Sequence, residues 1–274
     1  MEMKCVSKIV ALSLAVMALV PCCAYGWNGK GHAVIGHIAD CNLTPKARQM
    51  CQKYLGGTLS SHASWMDKVR YTDAYHHTAR WHSVGVKDGE FIPSDLTGSK
   101  ARYETPRQDD DHGVAKVMQL QRQLRNYRKL SDSTVMVGLK LIIHMVGDLH
   151  CPGHTFFSDQ SQQYYIKVGG KRTHYHSNMD RSFQNFNKGV TPSEFYANYC
   201  HLSKAEIKSL CKGDIAKWVW DHEAVFRECY KLLPPDKEYN DLSDEQRKRL
   251  KEITDKLHCD AGYRLAHIVN KIFR

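Results

Sequence analysis

The chain has 274 residues, of which 42% are hydrophobic, so it is long enough to bury a full core. No break in composition and no internal repeat divides it, which argues against two domains or a repeat architecture. The formal net charge of +10 favours a polyanionic ligand, and nucleic acid is the commonest of these. Basicity alone is weak support, because much of the charge sits in helical runs that are typical of solvated faces.

Residues 1–26 have the pattern of an export signal. Two lysines precede an apolar run at residues 9–20, and small residues follow up to Gly26. The apolar run is about 12 residues long, too short to span a bilayer. We therefore predict cleavage after Gly26, which leaves residues 27–274 as one secreted or periplasmic domain. A retained anchor or a lipoprotein is the alternative. No later segment is apolar enough for a membrane span, so no stable membrane association is expected.

Seven cysteines remain after the predicted signal, and none of them forms a CxxC pair. They are Cys41, Cys51, Cys151, Cys200, Cys211, Cys229 and Cys259. In an oxidising compartment we expect up to three disulfides and one free thiol, and their pairing cannot be read from the sequence.

Helical patterns dominate residues 27–274. The pair Thr44-Pro45 places proline at the first position of a helix. Capping boxes at residues 191–194, 203–206 and 243–246 begin further helices. Apolar residues recur at three- and four-residue steps in 135–149, in 214–233 and in the last run up to Phe273. We predict at least five or six sizeable helices.

One strand pattern interrupts the helices. The stretch YYIKVGG alternates apolar and polar residues and ends in a Gly-Gly turn, which indicates a hairpin. Residues 84–112 are rich in glycine, proline, aspartate and serine, and we predict a long surface excursion there. The predicted fold class is mainly α, a single-domain multi-helix fold with a small β-hairpin.

The stretch HMVGDLHCPGH at residues 144–154 concentrates groups that can bind metal. His144 and Asp148 are four residues apart near the end of an apolar helix, so both project from one face. Pro152 and Gly153 stop that helix, and the chain can then return His154 to the same face. Two imidazoles and a carboxylate are thereby gathered without a distant contact.

A second pair, His176 and Asp180, repeats the four-residue spacing at the start of another helix. Imidazole and carboxylate are ligands that zinc accepts, and so many of them imply more than one zinc. For any single histidine, an ordinary surface or core position is the more common outcome. A catalytic Cys151 is a weaker interpretation, because its neighbour His150 is close only in sequence and disulfide formation competes for the thiol.

Five motifs resemble those of the class I zinc nucleases of the S-one/P-one type, in the phospholipase C/nuclease superfamily. WNGKGH supplies Trp27 and His32, SWMDKVR supplies Asp67, RWH supplies His82, HMVGDLHCPGH supplies His144, Asp148 and His154, and HYHSNMD supplies His176 and Asp180. The resemblance runs from Trp27 almost to the C-terminus, and nine residues in the right order and spacing make it specific.

The resemblance implies a phospholipase C/P-one nuclease-like fold and three zinc ions per chain. The first zinc would be held by Asp67, His82, His144 and Asp148, the second by His154, His176 and Asp180, and the third by His32, Asp148 and the amino and carbonyl groups of Trp27. It also implies that a hydroxide shared by two zincs attacks the phosphate ester, with Asp67 orienting the water as the catalytic residue. Only cleavage after Gly26 would free the Trp27 amine for zinc.

The implied activity is hydrolysis of single-stranded nucleic acid by a monomeric endonuclease, with 3′-nucleotides as further substrates. A zinc phospholipase C and a zinc-binding protein without activity are the alternatives. Substrate-binding residues are less clear, because the chain departs from the family at four places. These are Ser83-Val84-Gly85 in place of the base-lining aromatic segment, SDQSQQ in place of a Gly-Gly-Asn loop, Met179 for tryptophan and Cys151 for glutamine. Tyr164, Tyr165 or Tyr175 could replace the aromatic, or could equally be strand and core residues.

Overall fold

The computed structural model describes residues 27–94, 110–158 and 164–274. The helices in this part are α1 (Gly29–Cys41), α2 (Pro45–Leu55), α3 (Leu59–His62), α4 (Trp65–Val69), α5 (Gly113–Leu124), α6 (Asp132–Asp148), α7 (Tyr175–Asp180), α8 (Ser182–Phe186), α9 (Pro192–Tyr199), α10 (Lys204–Leu210), α11 (Ile215–Asp221), α12 (Glu223–Leu232) and α13 (Asp244–Ile272). The strands are β1 (Val84–Lys87), β2 (Glu90–Ile92), β3 (Thr155–Phe157), β4 (Tyr165–Val168) and β5 (Lys171–His174). The predicted mainly α fold is confirmed, whereas the predicted signal at 1–26 and most of SDQSQQ lie outside the described residues.

The helix starts follow the capping chemistry of the sequence. Thr44 caps α2, with its hydroxyl accepting from the Ala47 amide and proline at the first helical position. Complete capping boxes begin α9, α10 and α13 at Thr191, Ser203 and Ser243, as predicted. The run 214–233 forms two helices rather than one, because the chain breaks at His222 between α11 and α12.

Three helices form the centre of the molecule. The 29-residue helix α13 packs along α1, and both contact the buried helix α6. Close approach depends on glycine: a Cβ on Gly262 would lie 2.5 Å from Ile38 Cβ, and one on Gly36 would lie 2.5 Å from Ser60 Cα. These contacts fix α1 against α13 and α3, and α1 and the C-terminal end of α6 carry several of the predicted ligands.

A three-stranded sheet lies where we predicted a surface excursion. Strand β1 pairs antiparallel with β2 and parallel with β3, with Val84 opposite Thr155 and Val86 opposite Phe157. Val84 and Val86 are buried, so the prediction of an exposed loop from residue 84 is wrong for this segment. The strands are short and β3 is distant in sequence, which is why local patterning missed the sheet. The predicted hairpin is confirmed as β4 and β5, which join through Gly169 and Gly170 at positive φ.

The seven cysteines of the described residues are all free thiols, so the predicted disulfides are absent there. Six of them are buried and only Cys41 is exposed, and such buried thiols behave as small apolar side chains. None of the helices in the described ranges combines the length and apolarity needed to cross a bilayer.

Candidate metal centre

Asp148 lies at the centre of a buried group of histidines. Its carboxylate oxygens face different partners: Oδ2 is 2.8 Å from His82 Nδ1 and 3.2 Å from His144 Nε2, whereas Oδ1 is 3.2 Å from His32 Nε2. All four residues are buried. A carboxylate with its two oxygens directed at separate sets of imidazoles has the arrangement needed to bridge two metal ions.

The first potential ligand group combines Asp67 with His82 and His144. Asp67 Oδ1 lies 3.6 Å from His144 Nε2 and 3.8 Å from His82 Nδ1, and the two ring nitrogens are 3.1 Å apart. His144 Nδ1 donates to the Ala63 carbonyl at 2.7 Å, which leaves Nε2 with a lone pair directed into the group. The helix α6 and the α3–α4 turn thus fix the tautomer as well as the ring position.

The second group is built on the turn after α6 and on α7. His154 Nε2 is 3.2 Å from Asp180 Oδ1, His176 Nε2 is 3.3 Å from Asp180 Oδ2, and the two ring nitrogens are 2.8 Å apart. His154 Nδ1 donates to the His82 carbonyl at 2.6 Å, so its Nε2 also carries a lone pair. The thiol of Cys151 belongs to the same group, with Sγ 3.7 Å from Asp180 Oδ1.

The third predicted ligand set is brought together in part. The His32 ring stacks on His144 with centroids 4.0 Å apart, and a Cβ on Gly147 would lie 2.8 Å from His32 Nδ1. Trp27 is fully buried, with its ring centroid 3.9 Å from that of His258. The Asn28 amide donates to the Asp180 carbonyl at 2.8 Å, which fixes the residue after Trp27 beside the second group.

The donor atoms fit a zinc site. Zinc–nitrogen and zinc–oxygen bonds of about 2.0–2.2 Å in a tetrahedral shell separate the ligand atoms by about 3.3–3.6 Å. The separations in the first two groups run from 2.8 to 3.8 Å. Asp67 Oδ1 and His32 Nδ1 are buried and have no hydrogen-bond partner among the described residues, and His32 Nε2 and Asp148 Oδ1 face each other at 3.2 Å without the geometry of a hydrogen bond. Buried polar atoms without partners are unfavourable, and a cation would satisfy them.

The buried ionisable groups of the site shift one another's pKa values in both directions. Burial lowers the pKa of His82 to about 4, against the opposing pull of Asp148. Burial would raise the pKa of Asp67, but His144 and His82 lower it to about 2. Burial raises the pKa of Asp180 to about 7, whereas His154 opposes the rise. Burial would lower the pKa of His154, but Asp148 and Asp180 raise it to about 9, and against the same effect of burial Asp148 and Asp67 raise the pKa of His144 well above its ordinary value. Without a cation, protons therefore occupy part of this centre, and metal binding would displace them.

Two residues that the sequence prediction missed lie beside Asp67. The guanidinium of Arg70 is buried, with Nη1 3.5 Å from Asp67 Oδ1 and Nη2 donating to the Tyr71 hydroxyl at 2.7 Å. Tyr71 is 65% exposed and is one of three exposed large hydrophobic side chains of the described residues. Arg70 is the last residue of the motif SWMDKVR. It lies three residues after Asp67, about one helical turn, and this spacing is the sequence signal that could have predicted their contact.

The tyrosines considered as base-binding residues are mainly structural. Tyr175 and Tyr164 are buried, and Tyr164 donates to the Leu233 carbonyl at 2.9 Å. Tyr165 stacks on His174 in the hairpin, with Arg172 over its ring at 4.2 Å. Trp65 packs edge-on against Tyr75, with ring centroids 4.9 Å apart.

A helical fold that gathers buried histidines and aspartates around a shared carboxylate has the ligand arrangement of a multinuclear metallohydrolase. The family model described as S1/P1 Nuclease matches residues 27–274, so the chain belongs to the S1/P1 nuclease family and is a nuclease that acts on the phosphodiester bonds of nucleic acids.

Comparison with individual proteins agrees with this membership. The chain is 24% identical over 287 residues to Nuclease S1 of Aspergillus oryzae, which covers 94% of this chain and 96% of that protein. It is 24% identical over 169 residues to Nuclease P1 of Penicillium citrinum, which covers 58% of this chain and 57% of that protein. It is 22% identical over 280 residues to Endonuclease 1 of Arabidopsis thaliana, which covers 90% of this chain and 87% of that protein.

Proposed function

We propose that the chain is an exported, monomeric endonuclease that hydrolyses single-stranded nucleic acid and 3′-nucleotides with three zinc ions. The observation that carries the proposal is the position of Asp148, whose two oxygens contact separate imidazole sets at 2.8–3.2 Å. This carboxylate would join the first and third zinc sites. Buried donor atoms without hydrogen-bond partners among the described residues support a metal at both.

Nine residues would hold the metals. The first zinc would be bound by Asp67, His82, His144 and Asp148, the second by His154, His176 and Asp180, and the third by His32, Asp148 and the amino and carbonyl groups of Trp27. When bound, zinc would polarise the phosphoryl oxygens and lower the pKa of the attacking water towards 7. Phosphate ester hydrolysis then needs no side-chain nucleophile.

Asp67 has the position to orient the water. Its Oδ1 faces the first ligand group without a hydrogen-bond partner among the described residues, so this oxygen can accept from a water molecule. Burial alone would raise the pKa of Asp67, but His144 and His82 lower it, so the carboxylate stays ionised at the pH of the reaction. Oδ1 itself is buried, but the Asp67 side chain as a whole is 19% exposed, so solvent reaches the edge of this ligand group.

Arg70 would bind the phosphate during the reaction. Its guanidinium lies 3.5 Å from Asp67 Oδ1, so a phosphoryl oxygen placed at the first ligand group is within reach of the same cation. A fixed guanidinium stabilises the charge that develops on phosphoryl oxygens. Tyr71 follows directly and presents an exposed ring, which can stack on a nucleobase in place of the aromatic missing at Ser83.

Export would create the third metal site. Cleavage after Gly26 frees the amine of Trp27, and Trp27 is buried beside His258 in α13 while the next residue is hydrogen-bonded to Asp180. The family match also begins at residue 27. A chain extended before Trp27 could not use that amine as a ligand, so export and full activity would be one event.

The test is metal analysis of the chain that begins at Trp27, with hydrolysis of single-stranded DNA, RNA, 3′-AMP and lecithin before and after a chelator. We expect about three zincs per chain and turnover of the nucleotide substrates that a chelator abolishes. Asp148→Asn should lose metal and activity together. The matched variant Asp40→Asn should keep both. Asp40 is also a buried carboxylate, but it accepts from the Leu59 and Ser60 amides and lies outside the potential ligand groups of the described residues. Full turnover by the metal-free chain would overturn the proposal, and turnover of lecithin alone would identify a phospholipase.

A further inference from the structure

Cys151 occupies an unusual position in the second group of potential metal ligands. It begins the turn that carries His154, and its side chain is fully buried. The ligand atoms of Cys151, His154 and Asp180 all lie within 4.8 Å of one another. The thiol therefore lies beside the His154 imidazole and the Asp180 carboxylate, at a point where the hydrophobic core meets the second ligand group.

We propose that the Cys151 thiolate is a fourth protein ligand of the second zinc, a ligand that the family resemblance does not supply. The inference rests on the proposed function, since it takes His154, His176 and Asp180 as ligands of that ion.

The distances suit a mixed nitrogen, oxygen and sulfur shell. With a zinc–sulfur bond of about 2.3 Å and a zinc–oxygen bond of about 2.0–2.2 Å, tetrahedral geometry separates sulfur from oxygen by about 3.6 Å. The observed separation of Cys151 Sγ from Asp180 Oδ1 is 3.7 Å. The His154–Asp180 and His176–Asp180 separations of 3.2 and 3.3 Å match the nitrogen–oxygen edges of the same shell.

The ring nitrogens of this group are close enough to bind one cation together. The ring nitrogens of His154 and His176 face each other at 2.8 Å, and His154 Nδ1 already donates to a backbone carbonyl. Binding would form a sulfur–zinc bond and break the sulfur–hydrogen bond, with the proton released to solvent. No oxidant is required.

A thiolate ligand has two consequences. Four protein ligands give the closed shell that is typical of structural zinc, so the second zinc should resist chelators longer than the others. Soft sulfur also favours zinc, cobalt or cadmium over magnesium and manganese, so this site should discriminate against the harder ions.

The experiment uses the chain that begins at Trp27, loaded with cobalt(II) in place of zinc, and compares it with Cys151→Ser and Cys51→Ala. Serine keeps a hydroxyl that can donate to Asp180, so only the thiolate is removed. Cys51 is also a buried thiol, but it lies on α2 outside the potential ligand groups of the described residues.

We expect a near-ultraviolet thiolate-to-cobalt charge-transfer band in the wild type and in Cys51→Ala, and its loss in Cys151→Ser. The variant should also bind one of its metal ions at least about tenfold more weakly. A band that persists in Cys151→Ser, or cobalt bound by the wild type without any such band, would overturn the inference and leave the proposed function standing. A chain that binds no metal would overturn both.

Discussion

The Nε2 atoms of His154 and His176 lie 2.8 Å apart, although His154 already donates from Nδ1 to the His82 carbonyl. Two ring nitrogens at this distance are stable when a proton or a metal ion lies between or beside them. Asp180 adds a carboxylate within 3.3 Å of each ring. The same crowding of lone pairs and carboxylates occurs around Asp148, so the fold should depend on cations at this centre.

Metal removal should therefore lower thermal stability. A ligand at about 100 times its Kd adds about 2.7 kcal/mol per site. For a domain of this size, that corresponds to a Tm lower by roughly 5–10 °C for each zinc removed. Circular dichroism melts with and without a chelator measure the change, and added zinc should restore the original Tm. A Tm that is unaffected by chelation in a zinc-loaded sample would contradict a structural dependence on the metals.

Gly147→Ala should remove the third metal selectively. A Cβ at this position would lie 2.8 Å from His32 Nδ1 and 3.0 Å from its Cε1, so the ring must move away from Asp148. We expect one zinc fewer per chain. Activity should fall by at least about 10- to 100-fold, because that is the loss typical when a residue supporting a metal ligand is changed, and here the ligand itself is displaced. Elemental analysis and single-stranded DNA hydrolysis measure the two effects.

Gly138→Ala is the matched control on the same helix. There the atoms nearest to a Cβ belong to the Leu124 side chain, at 3.2 Å, and the end of that side chain can shift. Both substitutions gain helix propensity of about 1 kcal/mol, so propensity cancels in the comparison. Equal zinc content in the two variants would show that His32 does not depend on the space at Gly147.

The helices could be predicted from the sequence because their signals are local. Proline at the first position of α2 and the capping boxes of α9, α10 and α13 each depend on residues within one turn. Strand β1 was not predicted, because it pairs with β3, some seventy residues away in sequence. Its four residues are also too few to show an alternating pattern. The break at His222 was also missed, because apolar spacing continues across it from α11 into α12.

The residues of the site also fall into two sets, those that local spacing predicts and those that it does not. His144 with Asp148, and His176 with Asp180, follow from helical spacing, and the structure brings each pair within 3.3 Å. The contact of His32 with Asp148 depends on packing of α1 against α6, so spacing could not show it. The motif resemblance supplied His32, Asp67 and His82, and it could not reveal the exposed ring of Tyr71 or the thiol of Cys151 in the second group.

Tyr71→Ala should weaken substrate binding while leaving the metals in place. Stacking of one base on an aromatic ring contributes about 1–3 kcal/mol, which corresponds to a KM higher by roughly 5- to 150-fold. The zinc content should be unchanged, because Tyr71 is not among the nine proposed ligands and its hydroxyl accepts from Arg70. Steady-state kinetics on single-stranded DNA separate an effect on KM from one on kcat.

Tyr199→Ala provides the comparison for an exposed tyrosine elsewhere. Tyr199, the last residue of α9, is 44% exposed, and its hydroxyl accepts from Lys251 of α13. Its removal should leave KM unchanged. If both variants raised KM equally, the effect would reflect general surface properties and not a base-stacking position at Tyr71.

Asp260 should contribute a pH-dependent part of the stability, independent of the metals. Burial opposes its ionisation, but the hydrogen bond from His222 and the ammonium of Lys256 lower the pKa of this carboxyl from 3.8 to about 2. The folded pKa is below the unfolded one, so the ionised group stabilises the fold above about pH 4. This contribution is lost as the pH falls through about 2. It amounts to at most about 2 kcal/mol, because Lys256 is largely exposed.

Asp260→Asn should consequently lower the free energy of unfolding at neutral pH and approach the wild-type value as the medium is acidified. Urea unfolding of both chains in chelator, over a series of pH values, measures this convergence without a contribution from zinc. Asp221→Asn is the control, because Lys217 and Asp221 form the same i,i+4 pair at 2.6 Å on the exposed surface. Exposed pairs contribute little, so this variant should follow the wild type throughout. Parallel curves for Asp260→Asn and the wild type would mean that His222 and Lys256 do not stabilise the ionised carboxyl.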